Sequence, residues 1–294
     1  MMNQKTLRAP CLIHGIGIHS GQRTSFSLLP APADTGVVFR ISRDKRQVDV
    51  PAHHDHVVHT SLNTGLGSEG VVVGTVEHLL AALTGLQIDN VIVLTRSHEL
   101  PVMDGSAKHF VERILDVGTM AQSTPRRMIK ILKEVRVEAD GKSATLSPSA
   151  TPRFSFVLEY NQPSIGRQSL SLDLTPQSFV DEIAPARTFG FEDELTMLRD
   201  KGMALGAGLD NAVGLSRNGE VLNKEGLRYP DELVRHKILD AIGDLSLAGY
   251  PILGAFHGEK SGHTLNEKLV RALFENPDSW EMTPGDKANQ AKVI

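Results

Sequence analysis

One histidine and two carboxylates recur at four-residue spacing in the segment 234–245. His236, Asp240 and Asp244 share one side of a predicted helix, because residues four positions apart lie one above the other. Imidazole nitrogen and carboxylate oxygen both bind zinc, so His236 and Asp240 are candidate ligands of one catalytic metal ion. An ordinary amphipathic helix with a solvated polar face is the alternative that this spacing allows.

An acid and a histidine are neighbours at Glu77–His78, near the start of another predicted helix. Adjacent helical residues diverge by ~100°, so His78 could face a metal ion while Glu77 addresses a group beside it. A hydrolytic zinc site uses such a carboxylate to take a proton from water. His263 follows Gly262 between a predicted strand and a helix, where it suits a general acid. The alternatives are a surface position for Glu77 and a helix-capping role for His263.

The densest histidine cluster is the rival metal site, and it comprises His53, His54, His56 and His59. His54 and His56 would share a face of a strand, and His53, Asp55 and His56 could bind a transition metal. We favour an exposed loop or strand, because no carboxylate base or glycine-shaped pocket lies near this cluster in the sequence.

Two glycine-rich segments could approach a ligand closely. Residues 15–21 have glycine at the first two positions of the G-x-G-x-x-G pattern but serine, Ser20, at the third. Because this segment also lies in β-rich sequence, its likeness to a nucleotide-binding loop is superficial. Residues 202–209 predict either a tight turn beside a ligand or a packed loop.

The elements that must position these residues follow from periodicity and from breaker residues. Helices are predicted at 75–86, 107–117, 177–182, 192–200, 230–247 and 263–274. Strands are predicted at 11–19, 24–29, 36–41, 88–94, 128–137, 143–146, 153–160 and 252–257. The polar segment 121–125 ends in proline and is the candidate linker.

The two halves of the chain share an order of elements. In each half, strands precede a helix that begins near a histidine, and a buried strand and another helix follow. Val76–Glu77–His78 even echoes Val234–Arg235–His236. We therefore predict an α+β fold with two similar domains, 1–122 and 126–280, each a β-sheet packed with helices. The active site would lie at the domain interface, and 281–294 would form a polar tail.

Composition excludes several classes of protein. The formal net charge of -4 argues against a nucleic-acid binder held by phosphate contacts. The single cysteine, Cys11, rules out an intrachain disulfide and thiolate metal clusters. No apolar run approaches the ~20 residues of a membrane span, and the start lacks the apolar core of a secretion signal. We expect a cytoplasmic protein.

Six motifs in order together resemble a known family. They are Gly15–Gly21, Thr75–Leu79, Pro101–Ala107, Ala186–Gly190, Arg235–Asp244 and Lys260–His263. From about Thr6 to about Trp280, the chain closely resembles the zinc-dependent UDP-3-O-acyl-N-acetylglucosamine deacetylases of lipid A biosynthesis. The fold that this implies has two similar α+β domains with the active site between the layers, in agreement with the suspected duplication.

The resemblance implies roles for the residues in these motifs. The zinc ligands would be His78, His236 and Asp240. Glu77 would be the general base, His263 the cationic general acid oriented by Asp244, and Thr188 a donor to the tetrahedral oxyanion. The implied reaction is hydrolysis of the acetamide of UDP-3-O-(3-hydroxyacyl)-N-acetylglucosamine to the free amine and acetate.

The resemblance also implies how the acylated UDP-sugar is bound. Substrate contacts would come from Phe189, Lys237, Leu62, Gly206, His19 and Lys260. The apolar residues of 195–209 are a candidate wall for the acyl chain, although ordinary helix packing would explain them equally well. We expect a monomer, with Zn²⁺ as the cofactor and Fe²⁺ as its competitor in a site with nitrogen and oxygen ligands.

Two other functions stay open at this stage. One is a zinc hydrolase for a different N-acetyl group, which would turn over a simpler sugar nucleotide equally well. The other is a non-catalytic, metal-stabilised binding module. Glu77 and His263 argue against the binding module, because a closed structural zinc site needs neither a base nor an acid.

Overall fold

The computed structural model describes residues 2–43 and 45–285. The first half of the chain contains two helices, α1 (Glu77–Gly85) and α2 (Lys108–Val117). Its strands are β1 (Asn3–Leu7), β2 (Cys11–Ile16), β3 (Arg23–Pro30), β4 (Val37–Arg43), β5 (Arg46–Pro51), β6 (Val57–His59), β7 (Gly65–Ser68), β8 (Val71–Val73), β9 (Val91–Thr95) and β10 (Thr119–Pro125).

The second half contains the short helix α3 (Pro176–Ser178) and three longer helices. These are α4 (Glu192–Asp200), α5 (Glu232–Leu245) and α6 (His263–Glu275). Its strands are β11 (Arg127–Ile131), β12 (Val135–Ala139), β13 (Lys142–Ser147), β14 (Arg153–Glu159), β15 (Arg167–Asp173), β16 (Phe189–Phe191), β17 (Val213–Leu215), β18 (Ile252–Leu253), β19 (Ala255–Glu259) and β20 (Trp280–Pro284).

Each half is organised around a five-stranded mixed sheet, and the two sheets have the same topology. The first has the order β2-β3-β9-β4-β5, and the second has the order β12-β13-β19-β14-β15. In both, the central strand runs parallel to one neighbour, β4 or β14, and all other pairs are antiparallel. The central strand follows the histidine-bearing helix in each half. The predicted fold of two similar α+β halves is confirmed.

Alternating burial explains why these segments form sheets covered on one face. Along β3, Thr24, Phe26 and Leu28 are buried while Arg23 and Ser25 are exposed, as the two-residue period of a strand requires. The Phe26 ring lies 6.0 Å from the Phe110 ring of α2, which covers this face. In the second half, the sheet face is covered by α5, which contacts β14 and β15, and by α6, which contacts β12 and β13.

Helices α1 and α5 pack against each other where the halves meet. Gly243 of α5 allows this close approach, because a Cβ added there would overlap the backbone carbonyl of Glu77 in α1. Gly85 of α1 packs instead on the ring of Phe179, the residue that follows α3, and a Cβ there would overlap that ring. Since a backbone atom blocks position 243, a larger residue there must push the two helices apart.

Several element predictions need correction. Residues 121–125, the candidate linker, belong to β10, which pairs antiparallel with β1. Residues 281–284 of the predicted tail belong to β20, which pairs with β11, while 286–294 lie outside the described residues. The division at 122–126 therefore stays a prediction.

The segment 177–182 is α3 followed by a π-helical turn over Phe179–Ile183. The helix predicted at 192–200 is confirmed as α4.

Candidate metal and acid–base site

Two imidazoles and one carboxylate converge at the contact between α1 and α5. His78 comes from the first turn of α1, whereas His236 and Asp240 lie one turn apart on α5. Asp240 Oδ1 lies 3.2 Å from His236 Nε2 and 3.6 Å from His78 Nε2. All three residues are buried, with exposures between 2% and 4%. The solvated polar face allowed by the helix pattern is therefore wrong, because α1 covers it.

In this group of His78, His236 and Asp240, the side-chain atoms that are not used in hydrogen bonds are suited to binding a metal ion. Asp240 Oδ1 is buried and has no hydrogen-bond partner among the described residues, while its other oxygen accepts from Lys237 Nζ at 2.5 Å. His236 donates from Nδ1 to the carbonyl of Ala186 at 3.1 Å, which leaves the Nε2 lone pair free. Ligand atoms about 2.0–2.2 Å from a tetrahedral zinc ion lie about 3.3 Å apart, close to the observed separations.

The ionisation of these groups suits metal binding. Burial lowers the pKa of His236 to about 3, so its ring is neutral and can ligate. Burial would raise the pKa of Asp240, but the positive charges of Lys237 and His263 hold that pKa well below its ordinary value. Asp240 is therefore a carboxylate. The set matches the ligand types of zinc sites in hydrolytic enzymes.

A buried carboxylate lies beside this group. Glu77 precedes His78 on α1 and is 3% exposed, and its Oε2 accepts the backbone N–H of Thr64 at 3.0 Å. Burial raises the pKa of Glu77, although His263 and His78 act in the opposite direction. A carboxyl group with a raised pKa next to a candidate metal site is suited to accepting a proton.

A histidine–aspartate pair is linked to Glu77 through Thr64, which hydrogen-bonds to both Glu77 and Asp244. His263 begins α6 and donates from Nδ1 to Asp244 Oδ2 at 2.8 Å. Burial would lower the pKa of His263, but the charge and hydrogen bond of Asp244 outweigh burial and raise it to about 9. The ring is therefore a cation near neutral pH. Asn266 and Thr64 donate to the two oxygens of Asp244 at 2.9 and 2.7 Å, which fixes the carboxylate.

Thr188 and Phe189 lie on the His236 side of the site. The backbone of Thr188 is held between Gly105 and Val213 by hydrogen bonds of 2.8 Å. The Phe189 ring lies 6.3 Å from the His236 ring, and Lys237 Nζ lies 5.9 Å from the centre of the Phe189 ring. The motif that contains Thr188 is anchored just before it, where Arg187 forms a buried ion pair with Glu232 of α5.

His19 and Gly206 are brought together although they come from different halves. The N–H groups of Leu205 and Gly206 donate to the carbonyls of His19 and Ile18, each at 3.0 Å. A Cβ added to Gly206 would overlap the carbonyl oxygen of Gly17. The two glycine-rich segments therefore pack on each other, and glycine is needed for that contact.

The loop that contains His19 is held by a buried carboxylate. Glu99 accepts the N–H groups of His19 and Ser20 at 2.8 and 2.9 Å and the hydroxyl of Thr75 at 3.1 Å. Thr75 lies just before α1 with φ at 57°, an unusual conformation for a β-branched residue. The interpretation of residues 15–21 as unlike a nucleotide loop is consistent with this packing.

Two of the predicted substrate-contact residues, Lys260 and Leu62, have surroundings that do not by themselves place them at the site. Lys260 Nζ forms an ion pair with Glu159 at 3.0 Å. Leu62 is exposed, with φ at 66°, two residues before Thr64. Their relation to the site stays a prediction.

The histidine cluster at 53–59 differs from its predicted form. His54–His56 form a 3-10 turn, and His54 is buried, so the favoured interpretation as an exposed loop or strand is wrong at that residue. The potential ligand set is His53, His54 and Asp55, whereas the rival set considered from the sequence had His56 in place of His54. A turn directs successive side chains differently from a strand, which explains the exchange of His56 for His54.

Sequence reasoning missed three residues that hold the site together. Thr64 contacts both Glu77 and Asp244, Asn266 fixes Asp244, and Glu99 ties the His19 loop to the start of α1. Asn266 had a signal, because it lies three residues after His263 on the same predicted helix. Thr64 and Glu99 had none, since their partners are distant in sequence.

Taken together, a neutral-imidazole and carboxylate group flanked by a buried acid and a cationic histidine defines a hydrolytic metalloenzyme. Comparison with known proteins identifies which one this chain resembles. Residues 4–275 match the family model described as UDP-3-O-acyl N-acetylglycosamine deacetylase, so the chain belongs to that family. In the described residues, no helix is both long and apolar enough to cross a membrane.

Individual relatives carry the corresponding name, UDP-3-O-acyl-N-acetylglucosamine deacetylase. The chain is 46% identical over 284 residues to the protein of Actinobacillus succinogenes, covering 96% of this chain and 93% of the relative. It is 47% identical over 283 residues to that of Xanthomonas oryzae, with the same coverage. It is 44% identical over 296 residues to that of Thioalkalivibrio sulfidiphilus, covering 100% of this chain and 97% of the relative.

Proposed function

We propose that this protein hydrolyses the acetamide of UDP-3-O-(3-hydroxyacyl)-N-acetylglucosamine to the free amine and acetate, the committed step of lipid A biosynthesis. The observation that carries the proposal is a buried His–His–Asp group with two further groups near it, the buried carboxyl group of Glu77 and the cationic ring of His263. The family membership supplies the substrate class.

The metal would be held by His78, His236 and Asp240, with Zn²⁺ as the ion and Fe²⁺ as its competitor. When bound, such an ion acts as a Lewis acid and makes water acidic enough to yield a nucleophile near neutral pH. Lys237 keeps Asp240 ionised through its 2.5 Å contact. The carbonyl of Ala186 orients His236, an indirect support of the kind that metal sites commonly use.

Glu77 would be the general base. Its carboxylate takes a proton from the attacking water as the water oxygen bonds to the acetamide carbon. The N–H of Thr64 keeps Oε2 in place during this transfer. A base of this kind typically contributes about 10²–10⁴-fold to the rate.

His263 would be the general acid. Its proton goes to the amide nitrogen as the carbon–nitrogen bond breaks, so the sugar leaves as a neutral amine. Asp244 holds the ring in the orientation that leaves Nε2 as the donor, because Nδ1 already donates to the carboxylate. Before that step, the cationic ring and the hydroxyl of Thr188 would stabilise the negative charge on the carbonyl oxygen.

The substrate would bind on the Thr188 and His19 sides of the site. The Phe189 ring lies 6.3 Å from the His236 ring and 5.9 Å from Lys237 Nζ. Phe189 and Lys237 would contact the sugar nucleotide, as would His19, Leu62, Gly206 and Lys260. Apolar side chains of the 195–209 segment would form one wall for the acyl chain. Met197, Leu205 and Leu209 are among its exposed members.

The two other functions predict different behaviour. A deacetylase for another N-acetyl compound would not need the exposed apolar residues of 195–209. A structural zinc module would not need Glu77 or a cationic His263. We further propose that the protein acts as a cytoplasmic monomer.

Acetate release tests the proposal. UDP-3-O-(3-hydroxyacyl)-N-acetylglucosamine and UDP-N-acetylglucosamine are compared with and without a chelator, and the metal content is measured in parallel. We expect chelator-sensitive turnover of the acylated compound only. Equal turnover of both compounds would favour a different N-acetyl substrate. No turnover by folded, metal-loaded protein would favour the binding module.

A further inference from the structure

A second group of potential metal ligands lies in the turn that follows β5. His53 Nδ1 lies 3.2 Å from one oxygen of Asp55, and His54 Nδ1 lies 3.3 Å from the other. The potential ligand atoms of all three residues lie within 4.8 Å of one another. This group therefore has the same composition, two imidazoles and one carboxylate, as the group between α1 and α5.

The two nitrogen–oxygen separations are longer than a good hydrogen bond to a carboxylate, which is about 2.7–2.9 Å long, and so they leave room for an ion. His53 Nδ1 otherwise accepts only a weak 3.5 Å bond from the backbone N–H of Asp55, which an ion would displace. His54 Nδ1 is buried and makes no hydrogen bond to any described residue. Such an atom is costly to bury unless something else satisfies it.

The surrounding residues hold the two rings in place. The His54 ring stacks on Phe274 of α6 with centroids 4.7 Å apart, and the His53 ring lies 4.1 Å from that of His54. Arg271 of α6 donates to the carbonyl of His54 at 2.8 Å. The Asp55 side chain is 65% exposed, so an ion can reach the site from solvent.

We propose that His53, His54 and Asp55 bind a divalent transition metal ion, separate from the ion at His78, His236 and Asp240. Neutral imidazoles with one carboxylate favour Zn²⁺, Ni²⁺ or Cu²⁺ over Mg²⁺ and Ca²⁺, which prefer all-oxygen sites. Three protein ligands leave further positions to water.

The ion would hold the turn against α6 and so support the segment that leads into the catalytic group. This segment continues through β6 to Thr60, whose hydroxyl shares a 2.9 Å hydrogen bond with the hydroxyl of Thr264. Four residues later, Thr64 contacts Glu77 and Asp244. Because Thr64 is also held by its own hydrogen bonds to Glu77 and Asp244, the second ion would stabilise the turn and the segment after it without being required for turnover.

Zinc stoichiometry tests this proposal. Metal-free wild-type protein, Asp240→Ala, His54→Phe and the double variant are titrated with Zn²⁺ in equilibrium dialysis. We expect two, one, one and no sites, respectively. Losing a group that merely supports a ligand costs about 10–100-fold in metal affinity, so losing the ligand at position 54 should cost at least about 100-fold. The phenylalanine in His54→Phe keeps an aromatic ring at position 54 to stack on Phe274.

Two more variants separate the ligands from their neighbours. His56→Phe changes a histidine outside the ligand set, so it should keep both sites. Asp55→Asn removes the exposed carboxylate without disturbing the packing. It therefore tests the site even if His54→Phe does not fold. Each single variant in the turn should keep deacetylase activity. The proposal is overturned if wild type binds a single ion, or if the second ion survives both His54→Phe and Asp55→Asn.

Discussion

The protein contains two groups of two histidines and one aspartate, and they differ in nearly everything except composition. The group between α1 and α5 draws its members from both halves and is buried throughout. The group at 53–55 comes from three consecutive residues and exposes its carboxylate. Only the first has a buried carboxylate, Glu77, and a cationic histidine, His263, beside it.

The difference teaches that ligand composition identifies a metal site but not its chemistry. Both groups offer the atoms that zinc prefers. Catalysis needs a proton acceptor and a proton donor held next to the ion, and these come from the elements around the ligands. In the proposed mechanism, α1 would supply the acceptor, Glu77, and the start of α6 would supply the donor, His263. Four variants test this distinction, beginning with the largest expected effect.

Asp240→Ala should abolish both metal binding at the first group and activity. The variant removes the only carboxylate of that group, so its zinc affinity should fall by at least about 100-fold. Metal analysis of purified protein and acetate release measure the two effects. Asp55→Asn is the matched control and should leave activity intact. Full metal content in Asp240→Ala would refute the ligand role.

Glu77→Gln should keep the metal and lose most turnover. Glutamine has the same shape and can still accept the N–H of Thr64, but it cannot take a proton from water. We expect kcat to fall by about 10²–10⁴-fold, with zinc content unchanged. Near-normal activity would rule out Glu77 as the base, and lost zinc would make it a ligand instead.

Asp244→Asn should shift the pH dependence of activity. His263 acts as an acid only while protonated, so activity should fall as the pH rises through about 9, its pKa in the protein. Burial lowers the pKa of the ring and the Asp244 charge is the main influence that opposes it, with Asp240 and Glu77 adding less, so the pKa falls when that charge is removed. The alkaline limb of kcat/KM should therefore move to lower pH, measured between about pH 6 and pH 10. An unmoved limb would assign it to another group.

Gly243→Ala should have the smallest effect, and mainly on stability. The added methyl group meets the backbone of Glu77, and overpacking of this kind costs about 1–3 kcal/mol in the free energy of unfolding. Thermal unfolding measures the loss, with Gly190→Ala as the control because its Cβ would meet nothing within 4 Å. The variant should weaken zinc binding at the first group but not at residues 53–55. Equal stability of the two variants would contradict this packing.

Local patterns predicted the parts of this protein that depend on local geometry. The four-residue spacing of His236 and Asp240 fixed their common side of α5, and the observed bounds of α4, Glu192–Asp200, match the prediction. Short strands such as β6 and β16 escaped prediction, because three residues carry too little alternation. β1 pairs with β10, which lies at the opposite end of the first half. No local pattern in the sequence reveals a pairing between segments so far apart.

The site itself was predictable only in part. Helix periodicity placed His236 and Asp240 together, but it equally allowed a solvated face, because it cannot show that α1 packs there. The contact between His78 and Asp240 followed from the repeated order of elements and from the family resemblance. The contacts of Thr64 depend on a loop conformation with φ at 66° for Leu62, and nothing in the sequence indicated them.

The proposed metal ligands His78, His236 and Asp240 come from two helices, and this has a consequence for folding. His78 and His236 meet only after the two halves have docked, so the unfolded chain has no comparable site. All the binding energy of a metal ion there therefore favours the docked state. The consecutive ligands at 53–55 are close together even in an unfolded chain, so an ion can bind them in both the folded and the unfolded state. Its effect on the free energy of unfolding is then smaller, because the two binding free energies partly cancel. If zinc binds as proposed, it should raise the melting temperature mainly through the ion between α1 and α5, so the size of that increase would report on how firmly the two halves are joined.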